Sequence, residues 1–346
     1  MNKIIYPTTI SLLTTFNCTA QCKNCCFQCS PSNKLRMSLD EMKFYVDKLV
    51  NEYPSIKVVV FSGGECFTLK KDLEYIIKYV SNKGLLTRVV TNGYWATSYE
   101  KAKEILCRLK EGGLKEVNFS TGDEHQEWVP YDNIVYGCLA SRDLGLNTLV
   151  NVETHPKAFF RKKVFEEDGR INCFIGNEVL NANQIKISQG IWIPFSEKTK
   201  EKINCIEEHK KIRVYKTCDS LFHTIAISPE GNLLSCCGLS SLHNNYLKIG
   251  NIKDESILKN IELQFNDFLK IWLYTEGPIK ILEFLYKDDL EKMKSIDYSR
   301  HICDVCKEIC SNKGYLDVIK RNILFLFTNV IMKYNLKYRE LEKINN

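Results

Sequence analysis

Between residues 8 and 193, short runs of consecutive apolar residues alternate with stretches whose apolar positions recur at helical spacing. Runs at 10–14, 57–61, 87–91, 116–120 and 147–152 predict strands, and a vaguer sixth lies at 184–193. Helical patterns fill the gaps at 38–52, 69–82, 98–110 and 131–143. Ser38 with Glu41 three residues later makes a capping box, and Gly84, Gly112 and Gly145 stand where helices should stop. Val58-Val59-Val60-Phe61 is apolar without interruption, as parallel strands covered on both faces are. Alternating strands and helices with short connections predict an α/β fold with a parallel sheet. Six units are too few to close an eight-stranded barrel, so the expected form is a partial (β/α)6 TIM-like barrel.

The alternation then fades. Residues 157–170 are charged and end near Asp168-Gly169, 173–183 look irregular, and 195–216 are polar enough for a linker. Apolar segments at 224–228 and 233–236 flank Pro229-Glu230-Gly231-Asn232, which predicts a hairpin. Helical segments follow at 255–294, then a second cysteine cluster, then a C-terminal helix from about 316. The expected division is a barrel over 1–195, a linker over 196–216, a small cysteine-rich domain over 217–312 and a terminal helix over 313–346.

Composition narrows the class. The chain has 346 residues, 44% hydrophobic and 26% charged, enough for one large folded domain and a smaller one. The net charge of +6 fits an acidic ligand or peptide but is too weak and diffuse to argue for nucleic acid. Residues 1–17 lack the features of a secretory signal, and the longest apolar run, 318–332, is broken by Lys320, Arg321, Asn322 and Asn329. A cytoplasmic protein without a membrane partner is expected. Its 16 cysteines then read as metal ligands, catalytic groups or reduced thiols rather than as disulfides.

The densest chemistry is Cys18-Thr19-Ala20-Gln21-Cys22-Lys23-Asn24-Cys25. Three thiolates at C-x3-C-x2-C spacing can hold three corners of an iron–sulfur cube, with no nearby histidine to complete a zinc site. In sheets of this kind ligands gather at the carboxyl ends of strands. Those ends carry the cysteine triplet, Ser62-Gly63-Gly64-Glu65, Thr91-Asn92-Gly93, Ser120-Thr121-Gly122-Asp123 and Glu153-Thr154-His155. Every strand delivers small or polar groups to one rim. Paired glycines let a ligand approach the backbone, and Glu65 offers a carboxylate to a cation or an ammonium group.

The triplet with Ser62-Gly63-Gly64-Glu65 resembles the radical S-adenosylmethionine (SAM) enzymes, over roughly residues 8–193. The resemblance implies a 4Fe–4S cluster on Cys18, Cys22 and Cys25, whose fourth iron is chelated by SAM. It implies reductive cleavage of SAM to a 5′-deoxyadenosyl radical that abstracts a substrate hydrogen, with an external electron donor such as flavodoxin or ferredoxin. It carries Gly63, Gly64 and Glu65 to the methionine amino group, and Ser120, Asp123, Thr91, Asn92 and Glu153 to the ribose and carboxylate. The sequence departs from the family at Asn24, where an aromatic residue is usual, which leaves Phe27 to shield the cluster.

The arrangement C-x12-G-x4-C through Cys218, Gly231 and Cys236, followed by Cys303, Cys306 and Cys310, is similar to the twitch and SPASM extensions of such enzymes. That implies one auxiliary 4Fe–4S cluster on Cys218, Cys236, Cys303 and Cys306, with Cys310 able to replace one of them; four-thiolate zinc competes on spacing alone. Cys237 is either a packed thiol or a hydrogen-atom donor to a substrate radical. Cys26 and Cys29 read as packing thiols, Cys66, Cys107 and Cys138 as core, and Cys173 and Cys205 carry no signal. His125 is a surface or hydrogen-bonding residue, or at the rim binds SAM or substrate or carries a proton. Tyr94, Trp95, Trp128 and Tyr131 either line a substrate groove or pack between rim loops. The reading these features support is radical chemistry on a ribosomally made peptide, by epimerisation or crosslinking. The alternatives are oxidation of a small metabolite, with the auxiliary cluster as electron acceptor, and a non-catalytic zinc-binding protein. A separate leader-binding domain ahead of the triplet is not expected, so peptide recognition falls to the barrel, the auxiliary domain or another protein.

Overall fold

The structure is a computed structural model that describes residues 6–155, 158–176, 182–191, 193, 216–298 and 300–345. Two compact units partition the chain: residues 9–205 with 227–230, and residues 1–8, 206–226 and 231–346. The linker expected at 196–216 lies, but for Lys216, outside the described residues, as does Cys205.

The first unit is a parallel sheet with helical crossovers. Its strands are β1 (Thr9–Leu13), β2 (Val58–Ser62), β3 (Leu86–Thr91), β4 (Leu114–Thr121), β5 (Asn147–Thr154), the two-residue β6 (Ile175–Gly176) and β7 (Ile185–Ile191). They lie in the order β1-β2-β3-β4-β5-β7-β6, and neighbouring strands pair in parallel, with registers from Thr9 opposite Val58 to Thr154 opposite Ile191. Six full strands in sequence order make the partial α/β barrel that the alternation predicts. Ile10, Val59, Phe61, Val89, Val117, Phe119 and Val150 are fully buried and form the core of the sheet.

Helices α1 (Leu39–Glu52), α2 (Lys71–Ser81), α3 (Tyr99–Glu111), the single-turn α4 (Asp123–Gln126), α5 (Tyr131–Asp143) and α6 (Lys162–Glu167) connect the strands. Ser38 and Glu41 form the capping box at α1. Helix α3 stops as expected at Gly112, its C-cap, and the next residue, Gly113, takes the positive φ of 105° that only glycine adopts freely. Within the charged stretch 157–170 the helix α6 spans six residues and buries only Phe165.

The expected hairpin is formed by β8 (Thr224–Ile227) and β9 (Asn232–Leu234), with β10 (Lys248–Asn251) antiparallel to β9. Helices α7 (Ile257–Gln264), α8 (Phe268–Thr275), α9 (Gly277–Leu285), α10 (Leu290–Lys294), α11 (Ile302–Ser311) and α12 (Lys313–Asn345) follow. Along α12 the buried residues Ile319, Leu326, Val330 and Tyr334 recur at helical spacing, the one-sided pattern of an amphipathic helix. Among the described residues no helix is long and apolar enough to cross a membrane.

Candidate active site

The cysteine triplet sits on a loop that leaves β1 and returns to its tip. Thr14 N–H donates to the Ser62 carbonyl (2.8 Å), Met37 N–H returns to the Thr14 carbonyl (2.8 Å), and isolated bridges join Thr15 to Arg36 and Asn17 to Ser30. The base of the loop is thus pinned to β2. Gly64 N–H donates to the Thr15 carbonyl (2.6 Å) and Glu65 N–H to the Asn17 carbonyl (2.9 Å).

This explains the two glycines differently from the sequence expectation. A Cβ on Gly63 would lie 2.4 Å from the Thr15 carbonyl oxygen, and one on Gly64 would lie 2.3 Å from that of Asn17. The backbone that approaches them is the cysteine loop's own. Gly63 also takes a φ of +120°. The Gly-Gly pair therefore seats the triplet against the second strand.

Glu65 is fully buried and crosslinks strand ends. Its carboxylate accepts from Phe67 N–H (3.0 Å), Asn92 N–H (2.7 Å) and the Thr91 hydroxyl (2.9 Å). Burial pushes its pKa up to about 7, against the pull of those donors and of the nearby His125. The Thr91 hydroxyl also accepts from Trp95 Nε1 (2.9 Å), so it is engaged within the protein. Asn92 is likewise turned inward: its Nδ2 donates to the Cys18 sulfur (3.6 Å) and to the Thr19 hydroxyl (3.1 Å), and its Oδ1 accepts from Tyr94 N–H (3.1 Å). Within the protein the side chains of Thr91 and Asn92 support Glu65 and Cys18.

The strand-4 end clasps the loop from the other side. Glu124 on α4 accepts from Asn24 N–H (2.7 Å), and Glu127 pairs with Lys23 (3.1 Å). Asn24, the departure from the family pattern, is completely buried beneath this clasp. Asp123 accepts from the amides of Phe159 (3.0 Å) and Phe160 (2.7 Å) and lies 3.7 Å from His155. It orders the loop after β5 with its carboxylate. Ser120 is half-buried at the end of β4. His125, buried rather than on the surface, has its Nδ1 3.6 Å from a carboxylate oxygen of the buried Glu153. His125 lies close enough to Cys25 for its charge to favour the thiolate, and Glu153 close enough to Cys22 to oppose one.

Within the triplet, Cys18 Sγ accepts from the amides of Ala20 (3.4 Å) and Thr19, and Cys25 Sγ from those of Cys29 (3.4 Å) and Phe27. The Cys29 thiol adds a hydrogen bond to Cys25 and, with these amides, lowers the Cys25 pKa to about 6. Burial pushes Cys18 up to about 12 and also raises Cys22, where the charges of Cys25 and Cys18 oppose a further thiolate. The three sulfurs thus sense one another's charge, and only one is a ready thiolate. A positively charged, sulfur-seeking group would let all three ionise together, and N–H···S bonds are the usual support of iron–sulfur ligands. The donor set fits a cluster. Sequence reasoning missed Cys29, set aside as packing, which supports Cys25 through both its thiol and its amide, and Glu124, which acts on the Asn24 amide. Cys66 and Cys138 are buried as expected, whereas Cys107 is half-exposed and hydrogen-bonds Glu111.

The family model for the radical SAM superfamily matches residues 12–149, which span the triplet, Gly63-Gly64-Glu65 and the ends of β3 and β4. Residues 12–149 are a radical SAM domain. Its family cofactors are a 4Fe–4S cluster and SAM, and Cys18, Cys22 and Cys25 are the residues that would hold the cluster. Over its length the chain is similar to "Putative peptide biosynthesis protein YydG" of Bacillus subtilis (strain 168), with 23% identity over 311 residues, 87% of this chain and 92% of that one. Among solved structures it is similar to anSMEcpe with bound AdoMet, at 15% identity, 95% coverage of both chains and a TM-score of 0.48. It is also similar to Streptococcus suis SuiB bound to S-adenosylmethionine, at 13% identity, 79% and 66% coverage and a TM-score of 0.44.

In the second unit the late cysteines also converge. Cys303, Cys306 and Cys310 lie on α11 at three- and four-residue spacing, one face of the helix. A Cβ on Gly238 would lie 2.9 Å from the Cys303 sulfur and 3.6 Å from that of Cys236, so this glycine, unflagged by the sequence, makes room for both. The amides of Leu239 and Ser240 donate to Cys303. Cys218 lies within electrostatic reach of Cys236, Cys303 and Cys306, while Cys310 hydrogen-bonds Cys306. Buried Lys270, whose Nζ donates to the Ser235 hydroxyl (2.9 Å), brings a positive charge near Cys236 and Cys310. Among the described residues no three His, Cys, Asp or Glu side chains are gathered as a site for a single metal ion. Cys236 is buried and Cys237 exposed, with the Cys237 sulfur 3.4 Å from the Ser220 hydroxyl.

Proposed function

We propose that this radical SAM enzyme modifies a ribosomally made peptide, and that the modification is epimerisation of an amino-acid residue. The peptide reading is supported by the similarity to the Bacillus subtilis peptide biosynthesis protein. The reaction rests on one observation: of the six late cysteines only Cys237 is exposed, beside a buried neighbour that turns toward the other thiols. Bound in the triplet site, the cluster and SAM supply a 5′-deoxyadenosyl radical that takes a hydrogen atom from a C–H bond. Cys18, Cys22 and Cys25 hold that group, and Glu65 with Asn92 keeps the loop in register with the strand ends. Ser120 and Glu153 are the rim side chains offered to SAM, and His125 steadies Glu153.

Cys237 then returns a hydrogen atom to the opposite face of the substrate carbon. Its S–H bond breaks, a C–H bond forms, and the thiyl sulfur takes one electron from an external reductant such as flavodoxin or ferredoxin and one proton from solvent. Cys218, Cys236, Cys303 and Cys306 are proposed to hold an auxiliary 4Fe–4S cluster, with Cys310 as a hydrogen-bonding neighbour. In D2O the Cys237 thiol exchanges, so the peptide product should carry one deuterium at the inverted carbon. Cys237→Ala should keep its iron content and lose that product; a deuterated epimer from Cys237→Ala would sink the donor role.

A further inference from the structure

The first unit carries a cleft that the chemistry above does not use. It has a volume of about 770 Å³ and runs between α2 and α3 on the outside of the sheet. Its floor is apolar: Phe67 stacks on Trp95 at 4.4 Å between ring centroids, and Leu73 and Leu109 are buried alongside. Its edges are basic. Lys70, Lys71, Lys101 and Arg108 face a single carboxylate, Glu74, which Arg108 neutralises at 3.1 Å. Among the described residues the side chains of Lys70, Lys71 and Lys101 make no ion pair or hydrogen bond, and all three are exposed.

Two further features set this cleft apart from ordinary helix packing. Lys70 is held at φ 54°, ψ −121°, a conformation that suits glycine, and the strain presents its side chain at the cleft's edge. Tyr94, which lines the cleft, is linked to the cysteine loop: its N–H bonds Asn92 Oδ1, and Asn92 Nδ2 bonds the Cys18 sulfur. From Lys101 to Leu109 the α3 wall runs roughly 12 Å, the length of three or four extended residues. An open trough of this length suits a chain segment better than an enclosed metabolite.

We propose that the cleft between α2 and α3 binds an acidic, apolar-containing segment of the peptide on which the enzyme acts, holding it outside the reaction centre. The proposal rests on the peptide reading above. Bulky apolar side chains of the segment fill the Phe67–Trp95 floor, and its carboxylates meet Lys70, Lys71 and Lys101. Charge complementarity selects the partner, and the apolar floor supplies most of the affinity.

The test uses the full chain and three fluorescein-labelled synthetic peptides of ~12 residues with the same Leu and Phe positions, the remaining positions being all Glu, all Ser or all Lys. The Glu peptide should bind best, and its affinity should fall with added NaCl. Combining Lys70→Glu, Lys71→Glu and Lys101→Glu should weaken it at least about tenfold. Ile105→Trp, which fills the trough without changing charge, should weaken it too. A charge-matched control, Lys259→Glu, Lys292→Glu and Lys294→Glu in the other unit, should not. Equal loss in the control, equal binding of all three peptides, or no binding at all overturns the cleft. A Glu peptide bound equally by wild type and the cleft triple variant also overturns it, and leaves the peptide reading standing. Binding in the cleft by an enzyme that epimerises no peptide supports the cleft and counts against the function instead.

Discussion

Gly64 stands with the Asn17 carbonyl where its side chain would be, so Gly64→Ala must push the cysteine loop off β2. The expected cost is about 2–4 kcal/mol in urea unfolding of the metal-free protein, in the range of overpacking against a backbone that cannot yield. Glu65 sets a pH dependence of known sign. Burial raises its folded pKa to about 7 from 4.5, so the stability it contributes is full below about pH 4.5 and is lost as pH rises through 7. The difference corresponds to roughly 3 kcal/mol. Glu65→Gln should be less stable at low pH, because its amide nitrogen meets N–H donors. It should also lack this slope in urea midpoints measured between pH 5 and 8; an unchanged slope would assign it to other groups. Glu65 as a chemical residue is legible from the Gly-Gly-Glu pattern. That its carboxylate is already spent on Phe67, Thr91 and Asn92 is not, because two of those donors are main-chain amides brought in by folding.

At the scale of elements, one turn of helix holds the cluster loop. Residues 123–126 form α4 directly after β4, and Glu124 reaches back to Asn24 N–H across a hundred residues of sequence. A half-buried, charge-assisted bond of this kind contributes about 1–3 kcal/mol. Glu124→Ala should therefore lower both the urea midpoint and the iron taken up on anaerobic reconstitution, whereas Glu124→Gln, which keeps an acceptor, should recover much of both. Full iron uptake in Glu124→Ala would mean that the β2 contacts suffice to hold the loop. The long elements were readable because parallel strands and amphipathic helices write their burial into residue period. Short ones were not: α4, of four residues, and α6, of six, are too brief to show a period.

For the whole molecule, the two groups of cysteines lie in separate compact units and should load independently. Reconstituted wild type is expected to hold about eight irons, two cubes of four. Replacing Cys18, Cys22 and Cys25 with Ala should remove about four of them, and replacing Cys218 and Cys303 should remove the other four or so. A C-terminal variant with an undiminished iron count would leave the second group as thiols without a cluster. Labile sulfide measured on the same samples distinguishes clusters from zinc.

The sequence by itself determined the alternation of strands and helices, the rim on which chemistry collects, and the cysteine spacing that a radical SAM domain needs. Those are local or periodic properties, and period and spacing survive in one dimension. Only the tertiary structure decided what the small and polar rim residues do. Gly63 and Gly64 serve the approach of the first loop, Thr91 and Asn92 turn inward, and Cys29 and Glu124 become supports through amide contacts. The same is true of the basic cleft, because Lys70, Lys71 and Lys101 are ordinary surface lysines until α2 and α3 pack side by side. Contacts between residues far apart in sequence depend on where folding places the backbone, and no residue pattern announces them in advance.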